Sequence, residues 1–496
     1  MLGRLIRQSG FYALVGVTAK LSGVALLAVY GDPAYLPRAD FGVLGGVEAL
    51  RTMALLLAGA GLPLGVIRFT AQRAGDEAAA VAPTALAIAA TLGLAVGGVG
   101  WLGAPWLAAT FLGSAAYAEA VRWMALYVVV RAVADVPYTA LRAAERAGAY
   151  ALAGAGEALV LVGAVAWFLV GQGEGLVGVT KGYALTGALT AAVLTPLALD
   201  LRRLRPDRAL VRPLLAFGVP LVLSGLAARF LNVGDRLLLL QYLDPEAVAV
   251  YEWAARFGGV VNVFLVQSFQ MAFTVLGLKA LDASGDAALH RRAFRHFAAL
   301  AGGATLGLGL FVSDASRLLT RDADFIGADG VALLIGGGFA FYGLYVVVVN
   351  VLYSDGRTGL VAAGVGAAAV GNALLNVLLI PRLGVAGAAV ATLAAYAALA
   401  AWTAGRAERI VRAGYPWRAV GAVAALVGAL WWTGTATEAW ELVPRLAARI
   451  GLLVAYVPLL RAVRVYGADD VAALRRIVQD RRAKTPPAPP PAPPSR

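Results

Sequence analysis

A chain of 496 residues that is 60% hydrophobic, only 14% charged and has a mean hydropathy of +0.76 carries too little charge to cover itself as a soluble protein. Its net charge of +13 would suit a nucleic acid, but the positive residues are scattered through short segments between apolar runs, which excludes a nucleic-acid patch. The absence of cysteine excludes a disulfide framework and a thiolate metal site.

Apolar runs of about twenty residues or more recur throughout, each long enough to cross the hydrocarbon core. Backbone groups in lipid must pair internally, and the runs lack the period-two alternation of barrel strands, so they are helices. In chain order the spans are predicted near 8–30, 41–67, 84–103, 117–140, 150–170, 176–199, 214–240, 247–277, 294–313, 330–353, 359–380, 385–405, 418–435 and 446–463. The start, MLGRLIRQSG, leads into the first run without a small-residue cleavage site, so no cleaved signal is expected. Residues 469–484 put Val471, Leu474, Ile477 and Val478 on one face, the pattern of a helix lying on the inner leaflet. The proline-rich end, 485–496, reads as a disordered tail.

Arg and Lys fix the orientation. Alternate gaps carry Arg68 and Arg73, Arg142 and Arg146, a run from Arg202 to Arg212, Lys279 with Arg291, Arg292 and Arg295, Arg357, and Arg406 to Arg418. The other gaps are mainly acidic, with Asp32, Glu119, Glu174, Asp244, Glu246, Asp314, Asp329, Glu438 and Glu441 among a few arginines that include Arg38 and Arg445. By the positive-inside rule both termini are expected in the cytoplasm.

The chain also repeats itself. Gly175 and Gly178 match Gly384 and Gly387 at a spacing of 209, and Gly154 and Gly156 match Gly364 and Gly366 at 210. The expected architecture is an all-α polytopic membrane protein of about fourteen helices. It has an N-terminal six-helix lobe (1–200), a basic linker (201–213), a C-terminal six-helix lobe (214–405) and two extra helices (418–463). Parallel repeats of this kind hold substrate between the halves and rock for alternating access.

Charge inside the spans is the sharpest functional signal, because each such residue costs about 2.5–3.5 kcal/mol at the bilayer centre. The set is Lys20, Glu48, Arg51, Arg122, Arg131, Asp135, Lys181, Arg229, Asp235, Arg236, Glu252 and Arg256. Structural roles account for part of it. Arg131 and Asp135 are spaced to pair along one helix, as are Glu48 with Arg51 and Glu252 with Arg256. Arg122 and Lys181 are near enough to the surface to snorkel, and Asp235 and Arg236 are expected near an outer end. Lys20, Arg51, Arg229 and Arg256 fall on repeat-equivalent spans. A cavity lined by these four, with Glu48 and Glu252 beside them, would be positive and would suit a phosphate or pyrophosphate. Pro63, Pro137 and Pro220 mark kinks. His290 and His296 are expected at a solvated surface, and Asp322-Ala323-Asp324 is a possible metal–phosphate pair on a short outer loop. No metal site, cofactor or catalytic residue is predicted.

Residues 39–69, 232–264 and 376–402 resemble stretches of the polysaccharide-transporter family, the Wzx-type flippases of the multidrug/oligosaccharidyl-lipid/polysaccharide exporter (MOP) superfamily. The likeness spans about 8–405, and its most specific pieces are Asp235-Arg236 before an apolar run and acidic turn, and the IPRLG segment from Ile380. The resemblance implies a cell-membrane flippase, not an enzyme, that moves a polyprenyl-(pyro)phosphate-linked oligosaccharide from the cytoplasmic to the outer leaflet. In such proteins cations on spans 1, 2, 7 and 8 contact the pyrophosphate, which by position are Lys20, Arg51, Arg229 and Arg256. Glycosyltransferases or a polymerase of the same pathway are the implied protein partners. Lipid II flippases also carry two extra terminal spans, but the arginine–aspartate pattern of their first span is missing. A cation/drug antiporter would need a free buried carboxylate, whereas each acid on spans 2, 7 and 8 has an arginine beside it.

Overall fold

The protein is described by a computed structural model over residues 18, 21–200, 205–284 and 287–466. Lys20, most of the first predicted span, the surface helix expected at 469–484 and the tail lie outside the described residues. Every regular element among the described residues is helical. The order begins with α1 (Leu21–Tyr30), α2 (Arg38–Gly59), α3 (Leu62–Ala71), α4 (Gly75–Leu102), α5 (Ala104–Phe111), α6 (Ala118–Ala143), α7 (Ala147–Ala166) and α8 (Gly175–Ala198). It continues with α9 (Arg208–Tyr242), α10 (Pro245–Val260), α11 (Gln267–Ser284), α12 (Ala287–Leu319), α13 (Asp329–Ser354), α14 (Thr358–Leu383), α15 (Val385–Ala407), α16 (Trp417–Thr435) and α17 (Leu442–Ala462).

Eleven helices among the described residues are long and apolar enough to cross a membrane, or twelve when the bent α9 is one span. The two remaining predicted spans correspond to α1, described only in part, and α16, which is not among those twelve. The breaks follow the local sequence. Ala60 and Gly61 adopt left-handed conformations (φ 43° and 67°) and Pro63 sits in the first turn of α3, so the span expected at 41–67 is two helices. In α9, which contains Pro213 and Pro220, the axis bends by 41° between Val222 and Gly225. That helix starts earlier than expected. Asp207 caps Ala209 N–H, so Arg208 and Arg212 stand on helical turns instead of in a linker.

The internal repeat is visible in packing. Contacts of α6 with α8, α7 with α8 and α4 with α6 recur as α13 with α15, α14 with α15 and α12 with α13. Gly175 and Gly384, 209 apart, both take positive φ (55° and 58°) at the start of matching helices. Three residues on, Gly178 and Gly387 press against the backbone of the preceding helix. A Cβ there would lie 2.9 Å from Phe168 O and 2.5 Å from Leu379 O respectively. Two positions of one repeat thus do the same work twice.

The halves meet through α2, α3 and α4 against α9 and α10. At the acidic-loop end a Cβ on Gly42 would fall 1.9 Å from Pro245 O, and at the basic-loop end a Cβ on Gly218 would fall 1.9 Å from Ala60 O. Backbone contact of this closeness needs glycine. The acidic-loop end is further fastened by Arg38, which donates to Glu246 O at 3.2 Å and pairs with Asp324.

Two sequence expectations change. Asp314 and Arg445 do not sit in loops, because α12 extends to Leu319 and α17 begins at Leu442. Asp314 is buried, accepting from Arg445 Nε at 2.9 Å and Arg449 Nη1 at 2.5 Å, and this pins α17 to α12. His290 is likewise buried, not solvated. It lies on α12, which begins at Ala287, and its ring meets Phe273 edge-on at 5.3 Å.

The topology has a direct test, since the chain has no cysteine of its own. Ala323 and Ser354 are both exposed and lie near opposite ends of α13. In sealed cells an impermeant maleimide should label Ala323→Cys and leave Ser354→Cys unlabelled; the reverse pattern means inverted orientation.

Candidate anion-binding site

The two halves place charged side chains against each other where α2 meets α9 and α10. Glu48 of α2 accepts from Arg256 Nη2 of α10 at 3.1 Å and from the Tyr183 hydroxyl of α8 at 3.1 Å. Arg256 also reaches Glu252 one turn earlier on its own helix, at 3.2 Å. The second oxygen of Glu252 accepts from Arg236 Nε of α9 at 3.0 Å. Arg236 Nη1 donates to Asp235 at 2.8 Å and to Asn232 O at 3.3 Å, and Asp235 also accepts from the Tyr251 hydroxyl. Gly45 makes room for this. A Cβ there would lie 2.6 Å from Glu252 Oε2, so α10 seats its carboxylate directly on α2.

Arg51, on the turn after Glu48, is different. No hydrogen bond or ion pair forms to its guanidinium among the described residues, and its Nε is buried without an acceptor. The guanidinium lies over the rings of Tyr183 (4.8 Å) and Tyr127 (5.7 Å), which is cation–π contact instead of charge pairing.

The structure thus brings together Glu48, Arg51, Glu252 and Arg256 among the predicted residues. Glu252 and Arg256 pair along their helix as the spacing implies, while Glu48 passes over Arg51 and pairs across the halves. Asp235 and Arg236 belong to the same cluster instead of standing apart at a helix end. Arg229 sits seven residues before Arg236, about 10 Å along α9, exposed and within electrostatic reach of Tyr342. Lys20 lies outside the described residues. The positive excess expected from sequence is not found in the cluster itself, where three guanidiniums (Arg51, Arg236, Arg256) face three carboxylates (Glu48, Asp235, Glu252).

Sequence reasoning missed Tyr30, Tyr127, Tyr183 and Tyr251, because an aromatic residue in an apolar span has no signature of its function. It also missed Glu157, a carboxylate inside the fifth predicted span that was there to be read. Arg131 pairs with Asp135 at 2.8 Å, as its spacing predicts, but also with Glu157, which accepts from the Tyr138 hydroxyl at 2.5 Å. These groups line a polar cavity of about 470 Å³ within the first half. Lys181 pairs with Glu174 at 2.9 Å. The Asp-x-Asp acids serve the loop: Asp322 accepts from Asp324 N–H at 2.9 Å, and Asp324 pairs with Arg38.

Comparison with known proteins agrees with this architecture. The family model for "Polysaccharide biosynthesis protein" matches residues 5–274, more than half of the chain. No curated protein matches. Among solved structures, the chain is similar to the lipid II flippase MurJ in an inward closed conformation, with a TM-score of 0.73 at 10% identity over 93% of this chain and 100% of that one. It is similar to an inward-facing multidrug resistance MATE transporter of the MOP superfamily, with a TM-score of 0.63 at 16% identity over 80% and 95%. A MOP-superfamily transporter from Pyrococcus furiosus, described as having a binding pocket of reverse polarity, aligns with a TM-score of 0.51 at 14% identity over 83% and 96%. At these identities the structural likenesses establish the fold, and the matched family model establishes the kinship: the chain belongs to the polysaccharide biosynthesis protein family.

Proposed function

We propose that the protein is a flippase that carries a polyprenyl-(pyro)phosphate-linked oligosaccharide from the cytoplasmic to the outer leaflet by alternating access of its two halves. The observation that supports this most is Arg51. Its Nε is buried without an acceptor and its guanidinium forms no ion pair among the described residues, which is costly in an apolar setting, and it stands within a charged cluster to which both halves contribute. An anionic head group would give it the partner it lacks, by the paired hydrogen bonds that guanidinium makes to phosphate oxygens. Arg256 completes the grip from the other half, with Arg229 as a further cation toward the basic-loop side, and Lys20, which lies outside the described residues, is assigned to the same role from its sequence position. The sugar is left to the space between the halves. A lipid II-type substrate is a narrower form of the same reading, consistent with the likeness to MurJ.

Cation/drug antiport is the second reading, and one observation favours it. Two carboxylates, Asp135 and Glu157, share the single guanidinium of Arg131 beside a polar cavity, which is where a cation exchanger would hold a proton.

The readings separate on ligand stabilisation, since a ligand that binds only the folded state raises its apparent stability with the logarithm of concentration. Purified protein should gain thermal stability with a polyprenyl-pyrophosphate sugar and much less with the same lipid lacking phosphate. Ethidium should give no saturable shift. Stabilisation by ethidium alone would transfer the assignment to the antiporter.

A further inference from the structure

The charged cluster is balanced as it stands, and that raises a question of charge. A lipid-linked sugar pyrophosphate brings one fixed charge on each of its two phosphates. Added to three carboxylates and three guanidiniums in a low-dielectric setting, it would leave the site strongly negative. Arg229 is the one further described cation nearby on the same helix, and it can offset one charge. The other can be offset by a second source within the cluster.

The hydrogen bonding identifies that source. At this cluster, among the described residues, three buried donors have no acceptor: the Tyr30 hydroxyl (the residue is 2% exposed), Arg51 Nε and Arg256 Nε. Tyr30 lies within electrostatic reach of Glu48, Arg51, Arg256 and Tyr183, so these donors surround Glu48. Glu48 already sits as an anion would, one oxygen on Arg256 and the other on the Tyr183 hydroxyl. It is also the carboxylate most easily displaced. Glu252 is held by two arginines, and Asp235 by Arg236 and Tyr251. Glu48 has one arginine and one hydroxyl. Among the described residues, the charged and titratable groups facing it are Tyr30 of α1, Arg51 of α2, Tyr183 of α8, Arg236 of α9, and Glu252 and Arg256 of α10.

Building on the flippase reading, we propose that a phosphoryl group entering the site takes the place of Glu48 on Arg256 and the orphaned donors, and that the displaced Glu48 carboxylate takes up one proton. The carboxylate and a solvent proton become the neutral acid, and no other bond changes. Substrate binding is thereby coupled to proton uptake. It also undoes the Glu48–Arg256 link between the halves, so the occupied carrier is freer to open. Tyr30 is a substrate-positioning residue in this scheme, donating to a phosphoryl oxygen.

The test is calorimetric titration of the full-length wild-type protein with farnesyl-pyrophosphoryl-N-acetylglucosamine, whose phosphates do not titrate between about pH 5.5 and about pH 8. Titrations in two buffers of different ionisation heat count the protons directly. Uptake close to one proton is expected, with affinity rising as pH falls, approaching about tenfold per pH unit. Glu48→Gln should bind with the affinity of the acid limit at every pH and take up no proton. Tyr30→Phe should keep the proton uptake and bind roughly five- to tenfold more weakly. Binding without proton uptake in the wild type overturns the coupling while leaving the flippase reading intact. Uptake that persists in Glu48→Gln overturns the assignment to Glu48. Absence of any binding by the wild type overturns both. The proton count needs only the wild-type protein, so a variant that fails to fold does not remove the test.

Discussion

Replacing Arg51 by Met should leave the protein as stable as the parent or more stable, and should reduce transport by roughly ten- to a hundredfold. The two halves of this expectation rest on the same fact. Arg51 forms no ion pair or hydrogen bond among the described residues, so its removal breaks no direct contact with a carboxylate, and a half-buried cation gives way to an unbranched apolar chain of similar reach. The cation–π contacts with Tyr183 and Tyr127, about 1–2 kcal/mol, and the longer-range attraction to Glu48 are lost, against the desolvation of the charge. In transport the loss is uncompensated, because a charge-assisted hydrogen bond to phosphate contributes about 1.5–3 kcal/mol. Thermal unfolding and transport by Arg51→Met are the measurements. A variant that unfolds early while transporting normally would make Arg51 a structural residue.

Asp314→Ala is expected to act in the opposite way, on the fold. Asp314, Arg445 and Arg449 are all buried, and the one carboxylate accepts from both arginines. Glu438 bonds the outer face of Arg449, and Arg445 reaches the carbonyls of Glu438 and Trp440. Removing Asp314 leaves two guanidiniums in an apolar helix interface with a single exposed partner between them. Breaking a buried pair from one side costs about 3–5 kcal/mol, so the melting temperature should fall by several degrees and α16 and α17 should become accessible to protease. Arg317→Ala removes a half-exposed neighbour of the same network and should cost less than about 1 kcal/mol. Equal losses from both variants would mean that the network is solvated.

Much of this was legible in the sequence, and the exceptions have physical causes. Apolar runs imply helices wherever lipid surrounds them, so the long helices of both halves and the kinks at Pro63 and Pro220 follow from composition, whereas the short α5 falls between two predicted spans. The 209-residue repeat was readable in glycines whose structural role proves identical in both halves, at Gly175 and Gly384 and again at Gly178 and Gly387. What the sequence could not give is pairing between helices. Spacing along one helix correctly joined Glu252 to Arg256 and Arg131 to Asp135. It wrongly joined Glu48 to Arg51, because a partner 208 residues away was closer. The same blindness hid the third member of the Arg131 group, Glu157, and the burial of Asp314, which depends on where α17 packs. Helix ends shifted too: α9 and α12 each begin several residues before the apolar run, and this moved Arg208 onto a helix and His290 into the interior.

The most direct test of the central claim is translocation itself. Purified protein in sealed proteoliposomes should move a fluorescent polyprenyl-pyrophosphoryl glycan between leaflets, read as the fraction an impermeant quencher can reach. The account predicts that wild-type protein speeds this exchange well above that in empty vesicles, that Arg51→Met and Arg256→Ala lose most of the gain, and that ethidium is not transported. Transport of ethidium with the lipid left where it began would contradict it.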